Sequence, residues 1–307
     1  MLTFKRILCP IDFSSCSDQA VHAAVDLAKR FGATLELLHV MQTTVYVMPL
    51  MPMGGPPLDY LRDLPERLQK QLDQLRDRLA ADYPQITTCL REGVVHSTVV
   101  NRAQEIHADL IVIGTHGHTG VTHLLLGSVA ERVVRLAASP VLTVGPGGVG
   151  ASTATLAAPK KIVCPIDFSG PSLFALDHAV AFARATSAEL HITHVVPLLA
   201  YAVASRDPVD DPGFEARIRK DVAERLEALR AKLTDGALKV SVSTVDGAPY
   251  EGIRRVADQE KATMIVIGTH GHTGLDRFLL GSVAEKVVRT AHVPVLAVRP
   301  LPAPAAG

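Results

Sequence analysis

Short apolar runs and longer amphipathic stretches alternate along the whole chain. Residues 5–9 (K-R-I-L-C) form an apolar run stopped by Pro10. In residues 17–31, Ala20, Ala23, Ala24, Leu27, Ala28 and Phe31 recur at steps of three and four, the period of a helix with one buried face. Gly32 follows where a left-handed helix end is expected. Residues 34–40 are apolar almost throughout, as a strand covered on both faces should be. The same reading predicts a helix over 58–81, a strand over 86–90, a helix over 96–107 and a strand over 109–113. A helix over 128–137 and a strand over 141–144 complete the series. Residues 41–57 break the pattern with four prolines, two glycines and four methionines, and read as a long loop.

The pattern then starts again. Strands are expected over 161–164, 189–195, 238–245, 264–267 and 295–298. Helices are expected over 172–185, 214–233 and 250–260, with a last one after Gly281, and 196–213 is a second irregular segment. Self-similarity is strongest late in each half. Between residues 114–144 and 268–298, 22 of 31 positions are identical. Pro10-Ile11-Asp12-Phe13-Ser14 likewise returns as Pro165-Ile166-Asp167-Phe168-Ser169. A chain of 307 residues suits two units of this size. The expected division is residues 1–146, a Gly-, Ala- and Pro-rich linker at 147–159, a second unit at 160–300 and a tail at 301–307. Strands alternating with helices imply parallel sheets with right-handed crossovers and helices on both faces. The expected fold class is therefore α/β, two tandem open parallel five-stranded sheets of Rossmann-like type.

Composition narrows the function classes. Acidic and basic residues number 31 each, so no net charge favours nucleic acid or an anionic membrane surface. No apolar run approaches the length of a membrane span, and the first residues lack a secretory signal pattern. A cytoplasmic protein is expected. Cys9, Cys16, Cys89 and Cys164 form no C-x-x-C pair and read as buried thiols.

Ligands of open α/β sheets bind at the carboxyl ends of strands, where the strand order reverses. Three loops are expected there in each half. They contain Pro10 to Asp12, Val40 and a Gly-rich stretch in the first half, and Pro165 to Asp167, Val195 and a Gly-rich stretch in the second. The stretch carries Gly114, Gly117, Gly127 and Ser128, and in its second copy Gly268, Gly271, Gly281 and Ser282. Glycines let backbone N–H groups approach an anion, and a helix starting at Gly-Ser adds free N–H groups and its dipole. Asp12 and Asp167 have an alternative reading as helix caps. His116, His118, His123, His270 and His272 in this stretch suit phosphate or solvent better than a metal. His39 and His194 read as fillers beside the pocket. The loop lacks the Gly-Lys-[Ser/Thr] of a P-loop, and no base–nucleophile pair stands out. Binding is favoured, with at most slow hydrolysis.

The spacing Gly-x-x-Gly, nine residues, Gly-Ser, preceded by a first strand ending in Pro-x-Asp, resembles the ATP-binding branch of the universal stress protein family. The resemblance covers nearly the whole chain as two tandem units. It implies ATP with adenine and ribose near Asp12 and Val40, beside Pro10, and phosphates on Gly114, Gly117, Gly127, Ser128 and the N–H of Val129. In the second half it implies Pro165, Asp167, Val195, Gly268, Gly271, Gly281, Ser282 and Val283. Mg2+ held by Asp12 has weaker support, because no second acid stands in the loop. The resemblance also implies that residues 141–144 and 295–298 pair within the chain as a dimer-like contact, with a further homodimer open. A sensor or regulator acting on an unidentified protein partner is the expected role. A weak ATPase or phosphotransferase and a nucleotide-free scaffold are the alternatives.

Overall fold

The computed structural model describes residues 4–42, 63–115, 126–145, 159–197, 213–269 and 280–300. Gly117, Gly271, the five loop histidines, the 147–158 part of the expected linker and most of the 41–57 and 196–213 segments lie outside them. The first half runs β1 (Arg6–Ile11), α1 (Ser15–Phe31), β2 (Thr34–Met41), α2 (Leu64–Ala80), β3 (Ile86–Glu92), α3 (Val95–Glu105), β4 (Leu110–Gly114), α4 (Ser128–Leu136) and β5 (Val141–Val144). The second runs β6 (Lys161–Pro165), α5 (Gly170–Thr186), β7 (Glu189–Val196), α6 (Phe214–Leu233), β8 (Val240–Asp246), α7 (Pro249–Gln259), β9 (Met264–Gly268), α8 (Ser282–Thr290) and β10 (Val295–Val298).

Each half is a parallel five-stranded sheet, ordered β3-β2-β1-β4-β5 and β8-β7-β6-β9-β10. The two join into one ten-stranded sheet through β5 and β10, which pair antiparallel. Leu142 stands opposite Leu296 at the centre of that contact, with Val141 opposite Ala297 and Thr143 opposite Val295. The expected intrachain pairing of the last strands is therefore present.

Side chains alternate across the strands, so the sheet has two buried faces. Ile7, Cys9 and Ile11 join one core with residues of α1, α2, α5 and α6. Leu8 joins the other, with residues of α3, α4, α7 and α8. On the first face the halves also meet through rings. Phe31 lies edge-on to Phe4 at 5.0 Å, and Phe182 stands 5.8 Å from Phe31 and 6.1 Å from Phe4. Arg30 of α1 donates from Nε and Nη2 to the Ala185 carbonyl of α5 at 2.9 and 2.7 Å. Burying Phe182 contributes about 3 kcal/mol.

One boundary differs in an instructive way. The sequence places a stop at Pro10, yet β1 continues through it to Ile11. In the matching strand β6 the Ile166 N–H bonds Thr193 on β7, so by alternation the Pro165 nitrogen faces β9. Pairing there has already ended: β6 meets β9 at Ile162 and Val163 alone, and β1 meets β4 at Ile7 and Leu8 alone. Proline is tolerated because no ladder bond is required of it. It marks the point where two adjacent strands part.

Candidate functional site

That parting opens a crevice at the carboxyl ends of β1 and β4, and another at β6 and β9. These are the switch points of the two 3-2-1-4-5 half-sheets, where successive connections leave in opposite directions. Asp12 directly follows β1 at the first crevice. Its Oδ1 accepts the Ser14 N–H at 3.0 Å. Asp167 does the same for Ser169, also at 3.0 Å. The caps of α1 and α5 are the serines themselves: Ser14 Oγ accepts from the Ser17 N–H, and Ser169 Oγ from the Ser172 N–H. The aspartates stand two residues ahead of the caps and fix the turn, so the helix-cap reading of Asp12 and Asp167 gives way.

The turn is held against strain. Phe13 and Phe168 have φ of 62° and 63°, the left-handed region that a bulky side chain avoids. Such a conformation costs on the order of 1–3 kcal/mol and persists where its surroundings over-determine it. Here the surroundings are the histidines beside it. Phe13 packs on His39 with ring centres 4.8 Å apart, and His39 Nδ1 bonds the Ile11 carbonyl at 2.8 Å. Phe168 and His194 repeat the arrangement at 5.0 and 2.8 Å. The histidines expected to fill space thus also tie the end of β2 or β7 to the turn that carries the aspartate.

Val40 and Val195 are buried near the ends of β2 and β7. Gly114 and Gly268 end β4 and β9. A Cβ on Gly114 would lie 3.0 Å from the Cys16 carbonyl oxygen, and one on Gly268 2.9 Å from that of Pro171. These two glycines are required by the close passage of the strand end past the first turn of α1 or α5. Packing alone accounts for them.

Thr115 then bonds back to the sheet through its N–H to the Val144 carbonyl. Its own carbonyl accepts the Gly127 N–H at 2.6 Å, and Thr269 accepts from Gly281 at 2.8 Å. Thr115 and Gly127, like Thr269 and Gly281, are thus joined by a hydrogen bond. Helix α4 therefore starts beside the end of β4. Its cap residue Gly127 is extended, with φ −60° and ψ 141°, and no side chain caps the helix; Gly281 caps α8 the same way. The first helical residues, Ser128 and Val129 or Ser282 and Val283, begin a helix whose N–H groups receive no side-chain cap. Such an end attracts an anion by about 0.3–1 kcal/mol per charge, and more when partly buried.

Cys9, Cys16 and Cys164 are buried thiols as expected, whereas Cys89 is partly exposed. Cys9 and Cys164 are fully buried, and burial pushes both thiols far above their ordinary range. Sequence reasoning missed the contribution of Cys16. It sits in the first turn of α1 with its Sγ 3.5 Å from the Val144 carbonyl oxygen, where the second half has Pro171.

A doubly wound parallel α/β protein with two like crevices, each joining an acid-bearing turn to an uncapped helix start, is the class that these features define. The profile described as the universal stress protein family matches residues 3–145 and again 159–299, and the chain belongs to that family. A universal stress protein of Methanocaldococcus jannaschii is 36% identical over 140 residues, 46% of this chain and 82% of its own length. One of Mycolicibacterium smegmatis is 26% identical over 303 residues, covering 96% of this chain and 97% of its own. The crystal structure of a universal stress protein from Archaeoglobus fulgidus covers 96% of this chain and 98% of its own. Its TM-score is 0.69 at 21% identity, a likeness of fold. Among the described residues, no helix is long and apolar enough to cross a membrane.

Proposed function

We propose that the chain binds ATP, one molecule in each crevice, and acts as a nucleotide-dependent regulator in the cytoplasm. The observation that carries this reading is the duplicated pairing of a strained, acid-bearing turn with an uncapped Gly-Ser helix start across parted strands. Asp12 and Asp167 would accept from the ribose hydroxyls, with Val40 and Val195 against the base. Phosphate oxygens would take the N–H groups at Ser128, Val129, Ser282 and Val283, with Mg2+ entering on the phosphates. Gly117 and Gly271 complete the phosphate loop in this reading. The units implied are 1–146 and 160–300, joined by 147–159.

The decisive experiment is to denature the purified protein and identify and count the released nucleotide, then titrate the emptied protein with ATP. The expected result is two adenine nucleotides per chain. Finding none, together with no heat of binding at millimolar ATP, overturns the reading and leaves an interaction scaffold. Steady ADP release above background, lost in the Gly127→Ala, Gly281→Ala double variant, would make the protein a slow ATPase instead.

A further inference from the structure

A separate cleft lies at the opposite end of the strands, in the second half. It encloses about 200 Å³ between α7 and α8, near the starts of β9 and β10. Its wall is apolar, with Ile253, Ile265 and Val287. Within it Tyr250 Oη and Thr290 Oγ1 are 2.9 Å apart. The first half shows why the cleft exists. Helices α3 and α7 are both 11 residues long, and α4 and α8 both nine, so positions correspond directly. Where the first half buries Val100 and packs the partly buried Ile106 and Leu136 against its core, the second places Arg254, Glu260 and Thr290. Glu260 turns away to Lys161, at 2.9 Å. Two of these positions, Arg254 and Thr290, line the cleft, and the apolar side chains missing there leave room for a ring-sized group.

The rim carries charge. Arg254 lies 3.5 Å from Asp258, an exposed pair. Lys261 also lines the cleft and enters no ion pair among the described residues. It is not needed to cap α7, because the last carbonyls there are bonded by backbone. Glu260 N–H reaches Val256, Lys261 N–H reaches Asp258 and Ala262 N–H reaches Ala257. One cation is left over at the mouth of an apolar cleft that also carries the Tyr250 phenol, while Thr290 Oγ1 is bonded to the Lys286 carbonyl as well. Pockets of this kind hold a ligand's apolar body and orient it through a few polar groups.

We propose that this cleft binds a small ring-bearing carboxylate, with the ring against Ile253 and Ile265 and the acid at Lys261. The test is a fluorine NMR titration of the full chain with 4-fluorobenzoate, with 4-fluorobenzylamine as the charge control. The expected result is saturable broadening of the acid signal at submillimolar to millimolar concentration and at least about tenfold weaker binding of the amine. Thr290→Leu and Arg254→Val each install the first half's residue, and each should weaken the acid about tenfold. Three further variants guard against a folding defect in either. Lys261→Gln should weaken the acid and leave the amine unchanged. Asp12→Asn and Asp167→Asn should leave acid binding intact, which separates this site from the nucleotide crevices. No saturation by about 10 mM, or unchanged binding in both filling variants, or an amine that binds as tightly as the acid, overturns the proposal.

Discussion

The two halves share their crevices but not the polar groups buried behind them. At the third position of β2 the first half places Glu36, and at the third position of β7 the second places His191. Glu36 receives a two-pronged bond from Arg102 of α3, Nε to Oε1 at 2.7 Å and Nη2 to Oε2 at 2.8 Å. The residue of α7 in register with Arg102 is Val256. His191 instead bonds Ser241 and Ser243 of β8, each at 2.8 Å, with Glu260 at 3.7 Å from Nδ1. Ser243 spends its proton on Thr193 Oγ1, so it accepts from His191 Nε2–H, and Nδ1 accepts from Ser241. One half is braced by an ion pair and the other by an imidazole whose neutral form burial favours. The same backbone therefore carries a carboxylate–guanidinium brace in one half and an imidazole–hydroxyl brace in the other.

Breaking the ion pair gives the largest expected effect. The side chains of Glu36 and Arg102 are 12% and 20% exposed. Arg102→Met leaves the Glu36 carboxylate largely covered and uncompensated, at a cost of about 3 kcal/mol. Urea unfolding should show the loss, and hydrogen exchange should place it in β2, β3 and α3. Exchange that rises equally in β7 and β8 would mean that the halves unfold only together.

The crevices should respond alike where the braces do not. Asp12→Asn and Asp167→Asn keep the acceptor that holds the turn and remove the charge. Each should weaken ATP at its own site by about tenfold to a hundredfold, the worth of a hydrogen bond to a charged group. Calorimetry should then report one strong site in each single variant and none in the double. Loss of both sites from one substitution would show coupling through the β5–β10 contact.

Acid should find the second half first. Burial lowers the His191 pKa, partly opposed by the Glu260 carboxylate and reinforced by Lys161 of β6. The unfolded chain then binds more protons than the folded one below about pH 6.5. Stability is present above that value and falls as pH drops through the window down to the folded pKa. The matching position of the first half, Glu36, carries no imidazole. Amide exchange in β8 should rise several-fold relative to β3 between pH 7 and pH 5, and His191→Gln should remove the difference. His178 is also buried with a lowered pKa, but it bonds Phe174 within α5, so amides of β8 report His191.

These differences also mark what a sequence can disclose. The element order was legible because short all-apolar runs and helical periods alternate without ambiguity, and Phe214–Leu233 agrees to the residue. The crevice was legible because Pro-x-Asp and Gly-Ser recur in the same order in both halves. The role of Asp12 was not, because Asp12 and Ser14 are both good caps and only the backbone shows which of them the helix uses. Gly114 looked like part of a phosphate loop, while its need to clear Cys16 depends on a contact across about a hundred residues. The braces left no local sign at all. Glu36 and Arg102, or His191 and Ser243, lie on elements far apart in sequence, and each alone reads as a polar residue in a strand or on a helix.

The smallest expected effect concerns the cleft. Thr290→Leu gives α8 the residue that ends α4. The added methyl groups would enter the space between Ile253, Ile265 and Val287. Filling an existing cleft typically contributes on the order of 0.5–1 kcal/mol. The loss of the hydroxyl removes its bonds to Tyr250 and to the Lys286 carbonyl, which costs about the same unless the carbonyl keeps its helix bond and the phenol turns to water. Tyr250 is partly exposed, so it can turn, and the net should be a small gain. Melting temperature should rise by a degree or two in the absence of ligand. The matching change in the first half, Leu136→Thr, should cost more than Thr290→Leu gains, because there the side chain packs against the core rather than lining an open cleft. Equal and opposite shifts would show instead that the second half has relaxed around its threonine and holds no space to fill.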